Sequence, residues 1–135
     1  MIEITKLTKK YEGGKTALDE VTFKINPGEI CGYIGENGAG KTTTIKIISG
    51  ALDFDAGTVE ISNIDVKKNP VDVKKLIGYV PESGNIFNSL KISEYLHFTG
   101  RIRNLEEVTI KRRMQYFAEL FEYSEFLNSS IGSLS

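Results

Sequence analysis

The chain has 135 residues, of which 17 are basic and 18 are acidic, and a net charge of −1. One globular domain has about this length, and a hydrophobic content of 40% is enough to bury a core, which excludes a disordered protein. The near-neutral balance excludes a global basic field, so any contact with nucleic acid or an anionic membrane must be local. The opening residues lack the apolar block of a secretory signal, and no apolar stretch reaches about 18 residues. We therefore expect neither a secreted precursor nor a membrane span.

The first third of the chain is predicted to form strands separated by turns. Alternating apolar residues over 2–7 and 18–25 predict two antiparallel strands, the second closed by a proline-glycine turn. The apolar run over residues 30–34 predicts a further strand that is covered on both faces. Cys31, the single cysteine, lies in this run, so we expect it in the core of a protein from a reducing compartment.

The middle of the chain is predicted to alternate helix and strand. After the apolar run, apolar residues recur at intervals of three and four, which indicates a helix. Short runs of strand formers follow, and prolines mark a helix start and a strand end. The predicted elements are a helix from Lys41 to Gly50 or Ala51, strands over 58–61 and 77–80, and a short helix over 70–76.

The last third is predicted to be helical. Ser93 is placed to cap one helix, and Asn104 with Glu107 has the spacing of a capping box for another. The second of these helices carries apolar residues along one stripe, which is more typical of core packing than of a cofactor site. The stripe consists of Ile110, Met114, Phe117, Ala118 and Phe121.

Residues 35–44 read GENGAGKTTT and lie between the apolar run and the predicted helix. Gly35, Gly40, Lys41 and Thr42 occupy the fixed positions of the phosphate-loop pattern G-x-x-x-x-G-K-[ST]. Glycines let the backbone curl round a phosphate chain with its N–H groups pointing inward, and the start of a helix adds a positive dipole end. The alternative interpretation is a glycine turn before a helix, with a lysine that happens to follow it.

The side chains at the end of this loop have separate predicted roles. We expect Lys41 to reach the β- and γ-phosphates, and the Thr42 hydroxyl to ligate the Mg²⁺ that bridges them. Thr43 could add a hydrogen bond to the α-phosphate, and Gly38 is expected to tighten the loop.

The loop resembles the Walker A segment of ATP-binding cassette (ABC) proteins, and further matches surround it in the order of that family. The opening stretch is similar to the antiparallel subdomain, IGYVPE to the start of the Q-loop, and the helical stretch after it to the signature subdomain. The resemblance implies binding of ATP and Mg²⁺, with Tyr11 stacking on adenine and with Lys41 and Glu82 as catalytic residues. The implied nucleotide-binding residues are Tyr11, Gly35, Asn37, Gly38, Ala39, Gly40, Lys41, Thr42 and Thr43.

The resemblance also implies the fold class and the division of the chain. The expected fold is α/β: an incomplete P-loop NTPase core with an N-terminal antiparallel β subdomain and an α-helical subdomain. Residues 1–81 would hold the β subdomain and the Walker A part of the ATP-binding core. Residues 82–135 would hold the Q-loop and a truncated helical signature subdomain.

Two positions depart from the family pattern. Glu82 stands where glutamine is the commoner residue; it is expected to ligate Mg²⁺ with Thr42, or else to be a solvated residue after Pro81. Leu134 and Ser135 resemble the first two residues of the signature L-S-G-G-Q, and the later motifs, Walker B and the catalytic glutamate among them, do not follow. The family pattern therefore implies weak nucleotide binding and negligible hydrolysis by this chain, and an ATPase when complete. His97 is not expected to replace the switch histidine of the family.

The implied function is that of the ATP-binding subunit of an ABC transporter, with export favoured. Such a subunit pairs head to tail with a second nucleotide-binding domain and drives a membrane-spanning permease from the cytoplasmic face of the cell membrane. Ile86 and Phe87 are candidate permease contacts, or else internal packing.

Two alternatives remain open at this point. One is a soluble ABC-type ATPase that acts on ribosomes or nucleic acid, although no direct contact with nucleic acid is expected because a short charge run is usually a solvated helix face. The other is a different P-loop NTPase, disfavoured because no N-K-x-D guanine motif occurs. The basic residues that could favour the first alternative are Arg101, Arg103, Lys111, Arg112 and Arg113.

Overall fold

The computed structural model of the chain describes residues 1–81 and 87–134. It divides into two compact units, Met1–Tyr79 and Val80–Ser135. The first unit contains β1 (Ile2–Lys10), β2 (Thr16–Ile25), α1 (Lys41–Ile48), β3 (Ala56–Ile61), β4 (Ile64–Asp65) and α2 (Pro70–Leu76). The second contains α3 (Ile92–Ile102), α4 (Glu107–Leu120) and two single 3-10 turns, Ser124–Phe126 and Ile131–Ser133.

The first unit is built on an antiparallel sheet with the strand order β2-β1-β3-β4. Ile4 lies at the centre of this sheet, opposite Phe23 on one side and Val59 on the other. The register shifts after Ile4, where Lys6 adopts a φ of 48°. Gly57 lies on β3 opposite this bulge, and a Cβ on it would stand 2.4 Å from the Lys6 carbonyl oxygen. Only glycine therefore lets β3 approach β1 there.

The core of the first unit lies between the sheet and helices α1 and α2. Ile4, Leu7 and Val59 of the sheet are fully buried, as are Ile47 of α1 and Val73 of α2. Each such side chain contributes about 1.5–3 kcal/mol by leaving water. Four further buried residues complete the cluster: Leu18, Phe54, Ile61 and Val66.

The strands predicted over 30–34 and 77–80 are not formed. Both segments are irregular, and Ile30, Ile34 and Val80 are almost fully exposed. Among the described residues neither segment has a neighbouring strand, and an extended segment without a ladder partner cannot satisfy its backbone or cover its apolar side chains. Cys31 is exposed for the same reason, so its predicted place in a core is wrong.

The predicted helices exist, but two predicted caps do not. α3 begins at Ile92, one residue before Ser93, and the Lys91 amide donates to the Glu94 carboxylate at 2.9 Å. Asn104 does not cap α4; it has a φ of 56° and its amide donates to the Arg101 carbonyl, so it ends α3 instead. Asparagine tolerates this left-handed conformation, which is common just after a helix.

The apolar stripe of α4 is only half buried. Ile110 and Ala118 are buried against the rest of the second unit, whereas Phe117 and Phe121 are exposed, Phe121 by 67%. These two rings stack on each other with centroids 6.1 Å apart. Their exposure contradicts the prediction of core packing, because one helical partner, α3, and a short 3-10 turn cover only part of the stripe in the described chain. No described helix is both long and apolar enough to cross a bilayer.

Candidate nucleotide site

The glycine loop passes close beneath β2 before it enters α1. Gly38 and Gly40 have φ values of 87° and 84°, which side-chain-bearing residues rarely adopt. A Cβ on Gly40 would lie 2.5 Å from the Ala17 carbonyl oxygen and 2.6 Å from Cδ2 of Leu18. Glycine is thus required at this position both by the backbone conformation and by the close approach of the loop to the sheet.

The loop leaves a row of amides without acceptors. Within the described chain, the amide of Thr44 is the first of α1 to be bonded, at 2.8 Å from the Gly40 carbonyl oxygen, and the Ala39 amide donates to Glu36. The amides of Lys41, Thr42 and Thr43 have no acceptor among the residues that the structure describes. Orphan N–H groups at a helix start attract anions, since the helix dipole has its positive end there.

Lys41 folds back over the loop that precedes it. Its ammonium donates hydrogen bonds to the carbonyl oxygens of Gly35 at 2.6 Å and Glu36 at 2.7 Å. The cation is therefore held by carbonyl oxygens at the start of the same loop, without an anionic partner in the described structure. Asn37 and Ala39 lie exposed on the same loop.

The three threonines that follow Lys41 differ in their surroundings. Thr42 is exposed, and its hydroxyl has no partner in the part of the chain that the structure describes. Thr43 is 9% exposed, and its hydroxyl lies 3.1 Å from the phenol oxygen of Tyr11. Thr44 is fully buried and donates to the Gly40 carbonyl at 3.0 Å, with the Tyr33 hydroxyl 3.4 Å away.

Tyr11 reaches the loop from the end of β1, 32 residues away along the chain from Thr43. Its amide donates to the Lys15 carbonyl in the turn between β1 and β2, which fixes its backbone. Tyr11 is 42% exposed while its hydroxyl lies within hydrogen-bonding distance of Thr43, and the Lys9 ammonium lies 5.8 Å from the ring centroid. The structure therefore brings the predicted adenine-stacking residue to the predicted phosphate loop.

The residues present suit a polyphosphate with a magnesium ion. The loop offers open amides, the Lys41 cation and the exposed Thr42 hydroxyl, a hard oxygen ligand of the kind that Mg²⁺ prefers. Mg²⁺ commonly takes its other ligands from phosphate and water. Among the described residues no group of three or more histidines, cysteines or carboxylates could form a metal cage alone. Glu82, the second predicted metal ligand, lies outside the described residues.

Tyr33 and Thr44 hold the start of α1, a role that was not predicted for either residue from the sequence. Their hydroxyls lie together under the loop, where Thr44 ties the helix to Gly40. The run of three threonines was the only signal available, since nothing in it separates a buried hydroxyl from one that faces a ligand.

Three predictions concern the second unit. Phe87 is half-buried and packs against Tyr95 and Phe98 with tilted rings whose centroids lie 5.4 and 5.8 Å away, which favours internal packing; Ile86 lies outside the described residues. His97 Nε2 lies 2.6 Å from a Glu107 carboxylate oxygen. That hydrogen bond, more than the nearby Lys111, holds the pKa of Glu107 below its usual value. All five basic residues singled out are exposed, and Lys111 also pairs with Glu107 at 3.4 Å: Arg101, Arg103, Lys111, Arg112 and Arg113.

The fold and the loop together define an α/β protein of the phosphate-loop class. The family model described as ABC transporter matches residues 18–135, and this chain belongs to that family. An uncharacterized ABC transporter ATP-binding protein of Methanocaldococcus jannaschii is 34% identical over 99% of this chain and 46% of its own length. The ABC transporter ATP-binding protein NatA of Bacillus subtilis is 31% identical over 100% of this chain and 56% of its own length. The chain thus spans about half the length of these curated relatives.

Solved structures agree with this assignment. An ATP-binding subunit of an ABC transporter superposes with a TM-score of 0.89 at 29% identity, over 100% of this chain and 56% of that one. A dimeric ATP-binding cassette in a post-hydrolysis state, bound to ADP and phosphate, superposes with a TM-score of 0.86 at 25% identity, over 100% of this chain and 63% of that one. The predicted family and α/β fold class are confirmed.

Proposed function

We propose that this chain is the nucleotide-binding part of an ABC transporter ATP-binding subunit, and that it binds Mg-ATP through residues 35–43 and Tyr11. The observation that carries the proposal is the row of open amides at the start of α1, with the Lys41 ammonium held on the same loop. An anion of several charges would satisfy both at once.

Each residue of the site has a role in this proposal. Lys41 exchanges the carbonyl oxygens of Gly35 and Glu36 for the β- and γ-phosphates of the nucleotide. The Thr42 hydroxyl, with the Glu82 carboxylate, would hold the metal ion, and Thr43 would contact the α-phosphate. Bound magnesium would neutralise charge that develops on the phosphates. Tyr11 offers its exposed ring to the adenine base.

Hydrolysis and transport are proposed for the complete protein. The chain spans about half the length of its curated relatives, and phosphoryl transfer needs positioned groups on both sides of the phosphate. Pairing with a second nucleotide-binding domain is supported by the dimeric cassette among the solved structures. A membrane-spanning permease on the cytoplasmic face would be the second partner. Export is supported only by names of relatives, such as the Nod factor export protein of Ralstonia nicotianae and the lipopolysaccharide export protein LptB of Escherichia coli.

Equilibrium binding of ATP with Mg²⁺, competed with GTP, tests the proposed site. We expect saturable ATP binding that GTP does not displace more strongly than ATP itself, and single-turnover hydrolysis by the complete protein that is lost in Lys41→Met. Absence of ATP binding by a folded protein, or a clear preference for GTP over ATP, would contradict the proposal.

A further inference from the structure

The contact between Tyr11 and Thr43 joins the two ends of the proposed nucleotide site. The Tyr11 ring is the surface expected to hold the base, and Thr43 lies in the first turn of α1, where the phosphates are expected. Their hydroxyl oxygens are 3.1 Å apart, within hydrogen-bonding distance. The exposed ring and the engaged hydroxyl belong to one rigid side chain, so anything that fixes the ring also fixes its hydrogen bond.

Thr43 has hydrogen-bonding capacity left over, unlike its neighbour. A hydroxyl has one hydrogen to donate and two lone pairs. The Thr44 hydroxyl already donates its hydrogen to the Gly40 carbonyl. The Thr43 hydroxyl contacts only Tyr11 in the described structure, and the Thr43 amide has no acceptor there.

The direction of this hydrogen bond decides what Thr43 can do. Either hydroxyl could donate, but a phenol is the more acidic of the two and is the better donor. With Tyr11 as donor, the Thr43 oxygen accepts and its own hydrogen remains available. Amide and hydroxyl hydrogens of Thr43 can then serve one anion together.

We propose that Tyr11 is a positioning residue for the phosphate end of the site: its phenol donates to Thr43 and directs the Thr43 hydroxyl hydrogen toward the α-phosphate. This inference rests on the proposed function and deepens it. Base stacking and phosphate binding become coupled through one hydrogen bond, and such coupling acts equally in both directions.

Tripolyphosphate, which has no base, separates this role from stacking. Tyr11→Phe keeps the ring and removes only the donor, so a role limited to stacking predicts unchanged tripolyphosphate affinity. We expect a loss of about fivefold, the effect of one net hydrogen bond. Tyr116→Phe, an exposed tyrosine of the second unit, is the matched control and should bind as the wild type does.

A double-mutant cycle shows whether the effect passes through Thr43. In Thr43→Val, Tyr11→Phe should cause no further loss, whereas in Thr43→Ser, which keeps a hydroxyl, the loss should persist. The inference would be overturned if Tyr11→Phe left the tripolyphosphate affinity unchanged. It would also be overturned if the affinity loss of the double variant Tyr11→Phe/Thr43→Val were the product of the two single losses. Either result would leave the proposed function standing. A wild-type protein that binds neither ATP nor tripolyphosphate would overturn both.

Discussion

The ammonium of Lys41 lies 2.6 Å from the carbonyl oxygen of Gly35, six residues before it in the chain. The loop thus holds its own cation on carbonyl oxygens, and the same loop carries amides without acceptors in the described chain. Lys41→Met should lower ATP affinity by about 10- to 100-fold, because charge-assisted hydrogen bonds contribute roughly 1.5–3 kcal/mol. Isothermal titration calorimetry measures the change. Lys46→Met, an exposed lysine on the same helix, is the control and should bind ATP normally; equal losses in both would indicate a general charge effect.

Gly40 and Gly38 have nearly the same φ, but only at Gly40 would a Cβ overlap atoms of β2. Gly38→Ala should reduce the free energy of unfolding by about 1–2 kcal/mol, the strain of a left-handed residue. Gly40→Ala should lose about 1–3 kcal/mol more, since its Cβ would overlap the Ala17 carbonyl. Urea unfolding of both variants gives the comparison. Equal destabilisation would show that the loop does not pass as close to β2 as described.

Gly100 of α3 faces Ile110 of α4, and a Cβ on Gly100 would lie 2.6 Å from Cγ1 of Ile110. Gly100→Ala should therefore destabilise the second unit by about 1–3 kcal/mol, although alanine alone favours a helix by about 1 kcal/mol. Thermal and urea unfolding show whether Gly100→Ala lowers or raises the stability. In an Ile110→Ala background the side-chain atoms that the new Cβ would meet are absent, so Gly100→Ala should become neutral or stabilising. Stabilisation in the wild-type background would contradict the close packing of α3 on α4.

The hydrogen bond from His97 lowers the pKa of Glu107 below its usual value of 4.5. A carboxyl with a lowered folded pKa stabilises the fold above that usual value, and the contribution disappears as the pH falls through the lowered pKa. Glu107→Gln should be less stable than the wild type near pH 6, and this difference should shrink steadily as the pH falls below the usual carboxyl pKa. Glu106→Gln, at the neighbouring exposed carboxylate, should track the wild type throughout. A Glu107→Gln deficit that stays the same size as the pH falls would contradict this account.

Local features of the site could be predicted from the sequence, because glycines, a lysine and threonines at fixed spacing act through the nearby backbone. The start of α1 at Lys41 and the helix over 70–76 agree with the prediction for this reason. Tyr11 was placed by family resemblance, and the structure shows how β1 delivers it to Thr43.

Features that depend on distant partners could not be predicted in the same way. An apolar run such as 30–34 predicts a strand, but a strand forms only beside another strand, and the described chain provides none there. The same holds for Phe117 and Phe121, whose spacing predicts a buried face but cannot say how much of it a neighbouring element covers. The prediction that Asn104 caps α4 was wrong because an asparagine between two helices can equally end the first or begin the second.

The central claim is that the backbone amides of residues 37–43 hold the phosphates of a nucleotide. Titration of Mg-ATP into the ¹⁵N-labelled chain, followed by amide NMR, tests it most directly. The account predicts large, saturable shifts concentrated at residues 35–43 and at Tyr11, and much smaller shifts in Lys41→Met at the same concentrations. Unchanged loop amides at millimolar Mg-ATP in a folded chain, or shifts confined to the second unit, would contradict it.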